Sequence, residues 1–317
     1  MAGHHHGHDH DGHAHSGGGH AHSHAPADFG RAFAIGVALN GGYVLLEAAF
    51  GIASGSLALL ADAGHNLSDV FGLVLAWVAA GLAKRQPTAQ RTYGYKRGPI
   101  LASLGNAVIL LVATGAIGLE AVRRLLHPEP IAEETVVWVA AIGVLVNAGT
   151  ALMFMAGRKH DLNVRGAFVH MVADAAVTVG VIVAAFVIGW TGWLWLDPVA
   201  SLAIAVVIVA GTWGLLRDSL ALAMDAVPPG IDPVRVRAYL SGLPGIDEVH
   251  DLHIWGLSTT ETAVTAHLVR RDASGDTMLI ERICREAREM FGIGHATIQL
   301  ETPEAASHCG LRPDHVV

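Results

Sequence analysis

Residues 57–80 read LALLADAGHNLSDVFGLVLAWVAA, an apolar run that contains His65 and Asp69. A run of this length is enough to cross a bilayer as a helix, which needs about 20 residues. A carboxylate at the bilayer centre costs about 2.5–3.5 kcal/mol, and ionisable side chains inside membranes usually serve a function. The stretch therefore predicts a membrane-spanning helix that carries a polar site.

The same spacing of His and Asp recurs in HMVAD, where His170 and Asp174 interrupt another apolar run. Residues i and i+4 share one face of a helix, so each motif presents an imidazole and a carboxylate to the same side. Two such helices packed together would offer two nitrogens and two oxygens, a tetrahedral set suited to Zn²⁺. The alternative is that each pair is only a helix cap or an interhelical hydrogen bond. The repetition of the motif favours the cation site.

The composition of the whole chain is typical of a membrane protein. Of 317 residues, 52% are hydrophobic and only 15% are charged. We predict an α-helical membrane domain over residues 29–226 with six transmembrane helices. The predicted spans are 32–53, 56–82, 99–121, 135–157, 165–189 and 194–217.

Basic residues indicate which side of the membrane each connector occupies. They concentrate in the connectors 83–98 and 158–165, whereas the alternate connectors carry few. Because Lys and Arg are enriched in cytoplasmic loops, we predict a multi-pass protein of the cell's inner or plasma membrane with both termini in the cytoplasm. The lipid bilayer is then a partner. The net charge of −8 argues against nucleic acid as another.

Residues 1–28 are of low complexity and hold ten of the 20 His, mixed with Gly, Ala, Ser and Asp. Such a segment has too little apolar surface to fold, so we predict a disordered cytoplasmic tail. Its composition is typical of metal binding. A purification tag is the alternative, although the broken HxH spacing favours a native tail.

A break at AVPPG separates the membrane domain from a small C-terminal domain, predicted over residues 227–303. DPVRVRAYLSGL predicts a helix, and EVHDLHIWGL and TAVTAHLVRR predict two strands. An amphipathic segment ending at Gly292 predicts a second helix, and HATIQLE predicts a third strand. The order αββαβ indicates a small α+β domain. Residues 304–317 are expected to form a loose C-terminal tail.

Three further polar residues in the apolar spans admit two interpretations. Asp62, one turn before His65, is either an ion-path residue or an interfacial cap, and the cap is preferred. Glu47 lies in the first span together with Asn40. These two are interpreted as packing or helix-end groups rather than ligands.

The C-terminal domain is rich in residue types that bind metals. Any one of its histidines alone would be a solvated strand residue, but five candidates in about fifty residues favour metal binding. Strand alternation places His295 and Glu301 on a polar face of the third strand. Cys284 lies at an apolar helix position and is predicted to be a core residue. The candidates are His250, His253, His267, His295 and Glu301.

Five segments together resemble the cation diffusion facilitator family, most of all its bacterial zinc-transporting branch. They are SLALLADAGHNLSDV, RTYGYKRGPILASLGN, LNVRGAFVHMVADA, VHDLHIWGLS and HATIQLE. The resemblance implies a homodimer that exchanges cytoplasmic Zn²⁺ for external protons. It implies a metallochaperone-like fold for the cytoplasmic domain. It also implies a transport site at His65, Asp69, His170 and Asp174, where a His rather than an Asp at position 65 is associated with zinc over cadmium.

The resemblance also assigns ligands in the cytoplasmic domain. His250, His267 and Glu301 match one zinc set of the family, and His253 and His295 match a second. The possible tail ligands His308 and Cys309 would complete the second set, because a Cys thiolate binds zinc. Some relatives bind metal in the loop that reads YGYKR here, but this loop carries no His or acid. We therefore expect no metal site in it.

These patterns predict a secondary transporter that exports Zn²⁺ in exchange for protons and has a zinc-responsive cytoplasmic domain. Zinc needs neutral imidazoles and ionised carboxylates, so protons compete with the metal. Neither the P-loop pattern GxxxxGK[ST] nor HExxH occurs, so we expect no enzyme activity. Two alternatives stay open: a transporter of another divalent cation such as Co²⁺, Ni²⁺, Fe²⁺ or Cd²⁺, or a membrane protein that senses or stores metal without transporting it.

Overall fold

The computed structural model describes residues 31–155, 162–271 and 277–312. The His-rich segment 1–28 and the basic residues Arg158 and Lys159 lie outside the described residues. Each of the long helices in the first part of the described chain contains an apolar stretch able to span a bilayer. The prediction of six transmembrane helices is confirmed. They are α1 (Arg31–Ser54), α2 (Leu57–Ala83), α3 (Gly98–Leu126), α4 (Glu133–Met155), α5 (Leu162–Thr191) and α6 (Leu196–Ala223).

The outer surface of this helical domain is apolar. Soluble proteins rarely expose contiguous apolar patches larger than a few hundred Å², whereas lipid tails solvate such side chains readily. The exterior therefore fits a domain embedded in lipid. Large apolar side chains that are more than half exposed include Leu45, Ile52, Val112, Leu145 and Phe186.

Two helix pairs dominate the packing of the membrane domain: α4 lies along α5, and α3 lies along α6. Helix α2 lies among α1, α3 and α6 and touches α5 at only a few positions. Leu59 from α2, Val139 from α4, Val181 from α5 and Ile204 from α6 belong to one buried core. The packing brings α2 and α5, which carry the two HxxxD motifs, next to each other.

Hydrogen bonds fix the start of α2. Gly55 and Ser56 alone connect α1 to α2, and the φ of Gly55 is +72°, a conformation that favours glycine. Asp197, in the first turn of α6, accepts hydrogen bonds from the Leu57 N–H at 2.8 Å and from the Ser56 hydroxyl at 2.5 Å. A buried carboxylate thus caps the helix that carries His65, about two turns before that residue.

The C-terminal domain follows the predicted order αββαβ. Its three strands form one sheet in the order β1-β2-β3, with β1 antiparallel to β2 and β2 parallel to β3. Leu240, Leu268 and Ile283 belong to its buried core. Its elements are α7 (Pro233–Ser241), β1 (Ile246–Gly256), β2 (Thr262–Arg270), α8 (Thr277–Phe291) and β3 (Ile293–Glu301).

The chain after β3 differs from the loose tail that the sequence predicts. It forms a short helix, α9 (Pro303–Ser307), with Thr302 as N-cap. Ala306 is fully buried, and Arg312 donates two hydrogen bonds to the Glu248 carboxylate, at 3.0 and 2.7 Å. A Thr followed by Pro is a helix-start signal, and burial of Ala306 holds the helix against the domain.

The connector between α2 and α3 contacts the C-terminal domain. Lys96 forms an ion pair with Glu261, which lies in the turn between β1 and β2. Arg97 forms another with Asp225, which follows the end of α6. The connector is therefore tied by one charge pair to the C-terminal domain and by another to the segment that follows α6.

Candidate metal sites

The membrane site lies where α2 and α5 face each other. Across the two helices, His65 Nε2 lies 3.5 Å from Asp174 Oδ1, and His170 Nε2 lies 3.1 Å from Asp69 Oδ2. Within each helix, His65 Nε2 lies 3.7 Å from Asp69 Oδ2, and His170 Nε2 lies 3.5 Å from Asp174 Oδ2. The structure thus brings together all four residues of the two motifs.

The separations between these atoms resemble the edges of a coordination tetrahedron. With Zn–N and Zn–O bonds of about 2.0–2.2 Å, the ligand atoms of a tetrahedral site lie roughly 3.3–3.6 Å apart. The observed nitrogen–oxygen separations span 3.1 to 3.7 Å. The ring centroids of His65 and His170 are 6.0 Å apart. His65, Asp69 and Asp174 each offer a donor atom within 4.8 Å of the other two, and His170 borders this group through Asp69 Oδ2 and the second oxygen of Asp174.

Burial leaves one carboxylate of the membrane site in need of a charge partner. Asp174 is only 2% exposed, and its Oδ2 accepts no hydrogen bond from the described residues. Buried polar atoms normally have a partner, and buried charges are normally paired or bound to metal. The side chains of Asp69 and His170 are 33% and 39% exposed, so the site opens on their side. A divalent cation would satisfy Asp174.

A second group of potential ligands lies on the sheet of the C-terminal domain. His250 on β1 and His267 on β2 are cross-strand partners with ring centroids 5.2 Å apart. Glu301, at the end of β3, lies 3.4 Å from His250 Nε2 and 3.0 Å from His267 Nδ1. His250 is buried, and neither of its ring nitrogens has a hydrogen-bond partner among the described residues. The first predicted cytoplasmic set is thus assembled within one subunit.

A β-bulge places a carboxylate behind His267. The pairing of β1 with β2 shifts between His250 and His253. Asp251, inside this shift, has a φ of +50°, which is uncommon for a residue other than glycine. Its Oδ2 lies 3.3 Å from His267 Nε2. A carboxylate on the second nitrogen of a ligating imidazole fixes its tautomer and orientation, so Asp251 is placed where it would orient His267 toward a metal; the sequence analysis gave this residue no role.

Comparison with known families covers both domains. Residues 33–222 match the cation efflux transmembrane domain, and residues 228–303 match the cytoplasmic domain of cation efflux proteins. The chain belongs to the cation diffusion facilitator family. This confirms the resemblance seen in the sequence, and since the family consists of cation efflux transporters, it also confirms that the protein is not an enzyme.

Three relatives in this family span most of the chain. The cadmium, cobalt and zinc/H(+)-K(+) antiporter of Bacillus subtilis is 37% identical over 272 residues, which cover 84% of this chain and 87% of the relative. The metal cation efflux system protein CzcD of Cupriavidus metallidurans is 35% identical, covering 89% and 92%. The zinc transporter ZitB of Escherichia coli is 34% identical, covering 85% and 86%. Metal-cation efflux is therefore the activity of this family member.

Asp62 of this cation diffusion facilitator is not the interfacial cap that the sequence analysis preferred. It lies inside α2 and is fully buried. The Thr178 hydroxyl lies 2.8 Å from Asp62 Oδ2 and 2.9 Å from the backbone oxygen of Asp174. Thr178 thus connects Asp62 to a predicted ligand. The i, i+3 spacing of Asp62 and His65 could have predicted that Asp62 lies near the site, because residues three apart are neighbours on a helix.

Glu47 is likewise buried in the middle of α1 rather than at a helix end. Its Oε1 accepts a hydrogen bond from the Tyr43 hydroxyl at 2.7 Å, and its Oε2 accepts one from the Asn66 amide at 3.3 Å. Tyr43 reaches this position because Gly143 on α4 has no Cβ, which would lie 2.2 Å from the hydroxyl oxygen. Glu47 therefore ties α1 to α2 beside the membrane site.

The second predicted cytoplasmic set is occupied by other contacts. His253 is partly exposed, and its Nε2 lies 2.8 Å from Asp251 Oδ1. The His295 ring meets the Tyr93 ring edge-on, with centroids 5.6 Å apart. Tyr93 belongs to the connector between α2 and α3, so His295 lies against that connector. A metal site at His253 and His295 thus stays a prediction.

The two predicted tail ligands lie in different surroundings. His308 is the exposed C-cap residue of α9. Cys309 lies beside the first histidine set rather than the second, with its Sγ 3.8 Å from His267 Nδ1. Cys284 on α8, predicted to be a core residue, is only partly buried. Its neighbour Ile283 is the residue that lies in the core. Of the two predicted tail ligands, Cys309 is the one with a described side-chain contact to a residue of the first set.

Proposed function

We propose that the protein exports Zn²⁺ from the cytoplasm in exchange for protons. The observation that supports this most directly is the convergence of His65, Asp69, His170 and Asp174 between two transmembrane helices. Two carboxylates inside a membrane domain are costly without a compensating charge. A divalent cation supplies that charge in one state, and protons supply it in the other.

The proposed exchange follows from the chemistry of these four side chains. Metal binding requires neutral imidazoles and ionised carboxylates, so protonation of the site releases the cation. A site that opens to the cytoplasm in one conformation and to the outside in another would let a proton gradient drive export. No covalent step is needed, because the ligands only gain and lose protons and metal.

The ligand types favour zinc over harder cations. Imidazole nitrogens suit Zn²⁺, Co²⁺ and Ni²⁺, whereas Mn²⁺ and Mg²⁺ prefer sets of oxygen ligands. The relatives' names include zinc in two cases and cadmium and cobalt in one. We propose zinc as the main substrate, with cobalt and cadmium as the nearest competitors.

The cytoplasmic domain is proposed to respond to zinc and to join two subunits. His250, His267 and Glu301 form the site that would bind the regulatory ion. The family of this domain supports a homodimer, in which a bound ion would favour one arrangement of the subunits. We also propose that both termini lie in the cytoplasm and that the protein resides in the inner or plasma membrane of the cell, because basic residues concentrate in the connectors 83–98 and 158–165.

The His-rich segment 1–28 is proposed to supply zinc to the transporter. Deletion of this segment should lower the apparent zinc affinity of transport modestly, without changing the maximal rate. Unchanged affinity would contradict the supply role and favour a passive buffer.

Zinc flux into proteoliposomes under an imposed pH gradient tests the proposed function. The wild type should transport zinc in proportion to the gradient, and Asp174→Ala should abolish the flux. Asp218→Ala is a matched control, because Asp218 pairs with Arg217 near the end of α6 and not with the site. Zinc binding by the wild type without any flux would favour the sensor or storage alternative. Faster gradient-driven flux of Co²⁺ or Cd²⁺ would favour the alternative substrates.

A further inference from the structure

Cys309 completes a cluster of four potential ligands from three strands and the C-terminal segment. Its Sγ, a nitrogen of His250, a nitrogen of His267 and an oxygen of Glu301 all lie within 4.8 Å of one another. In a tetrahedral zinc site with a Zn–S bond of about 2.3 Å, sulfur and nitrogen lie roughly 3.6 Å apart. The distance of 3.8 Å between Cys309 Sγ and His267 Nδ1 is close to that value.

Two members of the cluster are buried with atoms that lack partners. His250 and Glu301 are 1% and 5% exposed. Both ring nitrogens of His250 and the Oε2 of Glu301 make no hydrogen bond with the described residues. Such atoms are rare in native proteins, and those found in the described part of the C-terminal domain belong to the group that Cys309 joins. The cluster thus has the burial and the polarity of a ligand site.

The segment that carries Cys309 is attached on both sides of this residue. Before it, α9 buries Ala306 against the domain. After it, Arg312 forms a bidentate pair with Glu248 on β1. The Cys309 N–H donates to the Ala306 oxygen at 3.2 Å. The thiol is therefore held over the sheet by the fold itself rather than reaching it from a free tail.

We propose that Cys309 is the fourth ligand of the cytoplasmic site, which therefore binds a thiophilic divalent cation and clamps residues 302–312 onto the sheet when it is filled. The inference rests on the proposed metal binding by His250, His267 and Glu301. A thiolate favours Zn²⁺ and Cd²⁺ over hard cations. The cytoplasmic site then differs in ligand type from the membrane site, which has no sulfur.

Cobalt absorption of the full-length protein tests this assignment. A thiolate bound to Co²⁺ gives a near-ultraviolet charge-transfer band, which imidazole and carboxylate ligands do not give. The chain has two cysteines, so any such band reports on Cys309 or Cys284. We expect the band in the wild type and in Cys284→Ser, and its loss in Cys309→Ser and in His250→Gln.

Three outcomes would overturn the inference. The band could be absent from the wild type, persist in Cys309→Ser or vanish in Cys284→Ser. Visible cobalt bands that depend on His250 without the near-ultraviolet band would leave the proposed cytoplasmic site standing and remove only Cys309 from it. The absence of any cobalt signal that depends on His250 would refute both. Neither result bears on gradient-driven flux, which is measured separately.

Hydrogen exchange supplies a second readout of the clamp. Zinc should slow exchange of the backbone amides in residues 302–312 of the wild type. In Cys309→Ser, the zinc-dependent slowing of exchange should be smaller by about tenfold or more. Residues that only support the ligands of a metal already contribute about 10–100-fold to its affinity, and a ligand should contribute at least as much. Equal zinc-dependent protection in Cys309→Ser and the wild type would contradict the clamp.

Discussion

His170 Nε2 on α5 and Asp69 Oδ2 on α2 approach to 3.1 Å, closer than any other imidazole–carboxylate pair of the membrane site. The contact joins the two HxxxD motifs across the helix interface. Each motif therefore depends on the other for its position, and loss of one side chain affects the whole set.

Replacement of His170 by Gln should raise the zinc concentration for half-maximal flux by about tenfold or more, because one of four ligands is lost. Zinc flux at varied concentration under a fixed pH gradient measures this. His127→Gln is the control, since His127 is an exposed residue at the end of α3. A variant at position 170 with wild-type flux would exclude His170 from the site.

Replacement of Thr178 by Val should lower zinc flux severalfold while the four ligands stay in place. The change keeps the size of the side chain but removes the hydroxyl between Asp62 and the Asp174 backbone. We expect a stability loss of only about 1 kcal/mol. Thr212→Val, at another buried Thr on α6, should leave flux unchanged. Equal flux in the two variants would show that Thr178 does not act on the site.

Replacement of Asp197 by Ala should destabilise the membrane domain by about 2–4 kcal/mol, because the Ser56 hydroxyl and two backbone N–H groups at the start of α2 lose their buried acceptor. Thermal unfolding followed by Trp fluorescence should show a Tm lower by several degrees. Asp197→Asn should lose less stability than Asp197→Ala, since its side chain keeps one acceptor oxygen. A Tm equal to that of the wild type would mean that the cap contributes little.

Reversal of the charge in Lys96→Glu should weaken the attachment of the α2–α3 connector, and adding Glu261→Lys should restore it. Both side chains are partly exposed, so we expect less than about 1 kcal/mol of stability to change. Transport rate and protease sensitivity of the connector are the measurements. Additive effects of the two changes, without restoration, would show that the pair is not coupled.

The pair between Arg312 and Glu248 gives the C-terminal segment a pH dependence. The hydrogen bond from Arg312 holds the pKa of the Glu248 carboxyl below its usual range. The contact is therefore complete at neutral pH and is lost as the pH falls through the lowered pKa, on the acid side of the usual range of a glutamate. In metal-free protein, hydrogen exchange of residues 302–312 should rise in that range. Arg312→Ala should show the faster exchange already at neutral pH; an unaltered pH profile in this variant would contradict the assignment.

Periodicity and spacing were sufficient to predict the architecture and the proximity of His65, Asp69, His170 and Asp174, whereas metal binding by these four residues stays a prediction. The apolar spans are long, and the i, i+4 spacing of His65 and Asp69 fixes a shared helix face whatever the neighbours are. The αββαβ order was also readable, because the strand patterns and Gly292 delimit each element.

Contacts between segments that are distant in the sequence could not be predicted from periodicity and spacing. The position of Cys309 depends on α9, whose docking rests on the burial of Ala306 and on the pair between Arg312 and Glu248. The bulge at Asp251 has no sequence signature, since its positive φ follows from the register between β1 and β2. Local patterns say which residues share a face but not which faces meet.

The limited contact between α2 and α5 has a consequence for the speed of transport. The polar contacts between these helices include those of the four-residue site and the Thr178–Asp62 hydrogen bond next to it. A cation bound at the proposed site would act as a reversible crosslink between two helices that touch at few positions. Release of the ion would remove this crosslink, so release and reorientation of the two helices would occur together, and a site that holds the ion more tightly would give slower transport.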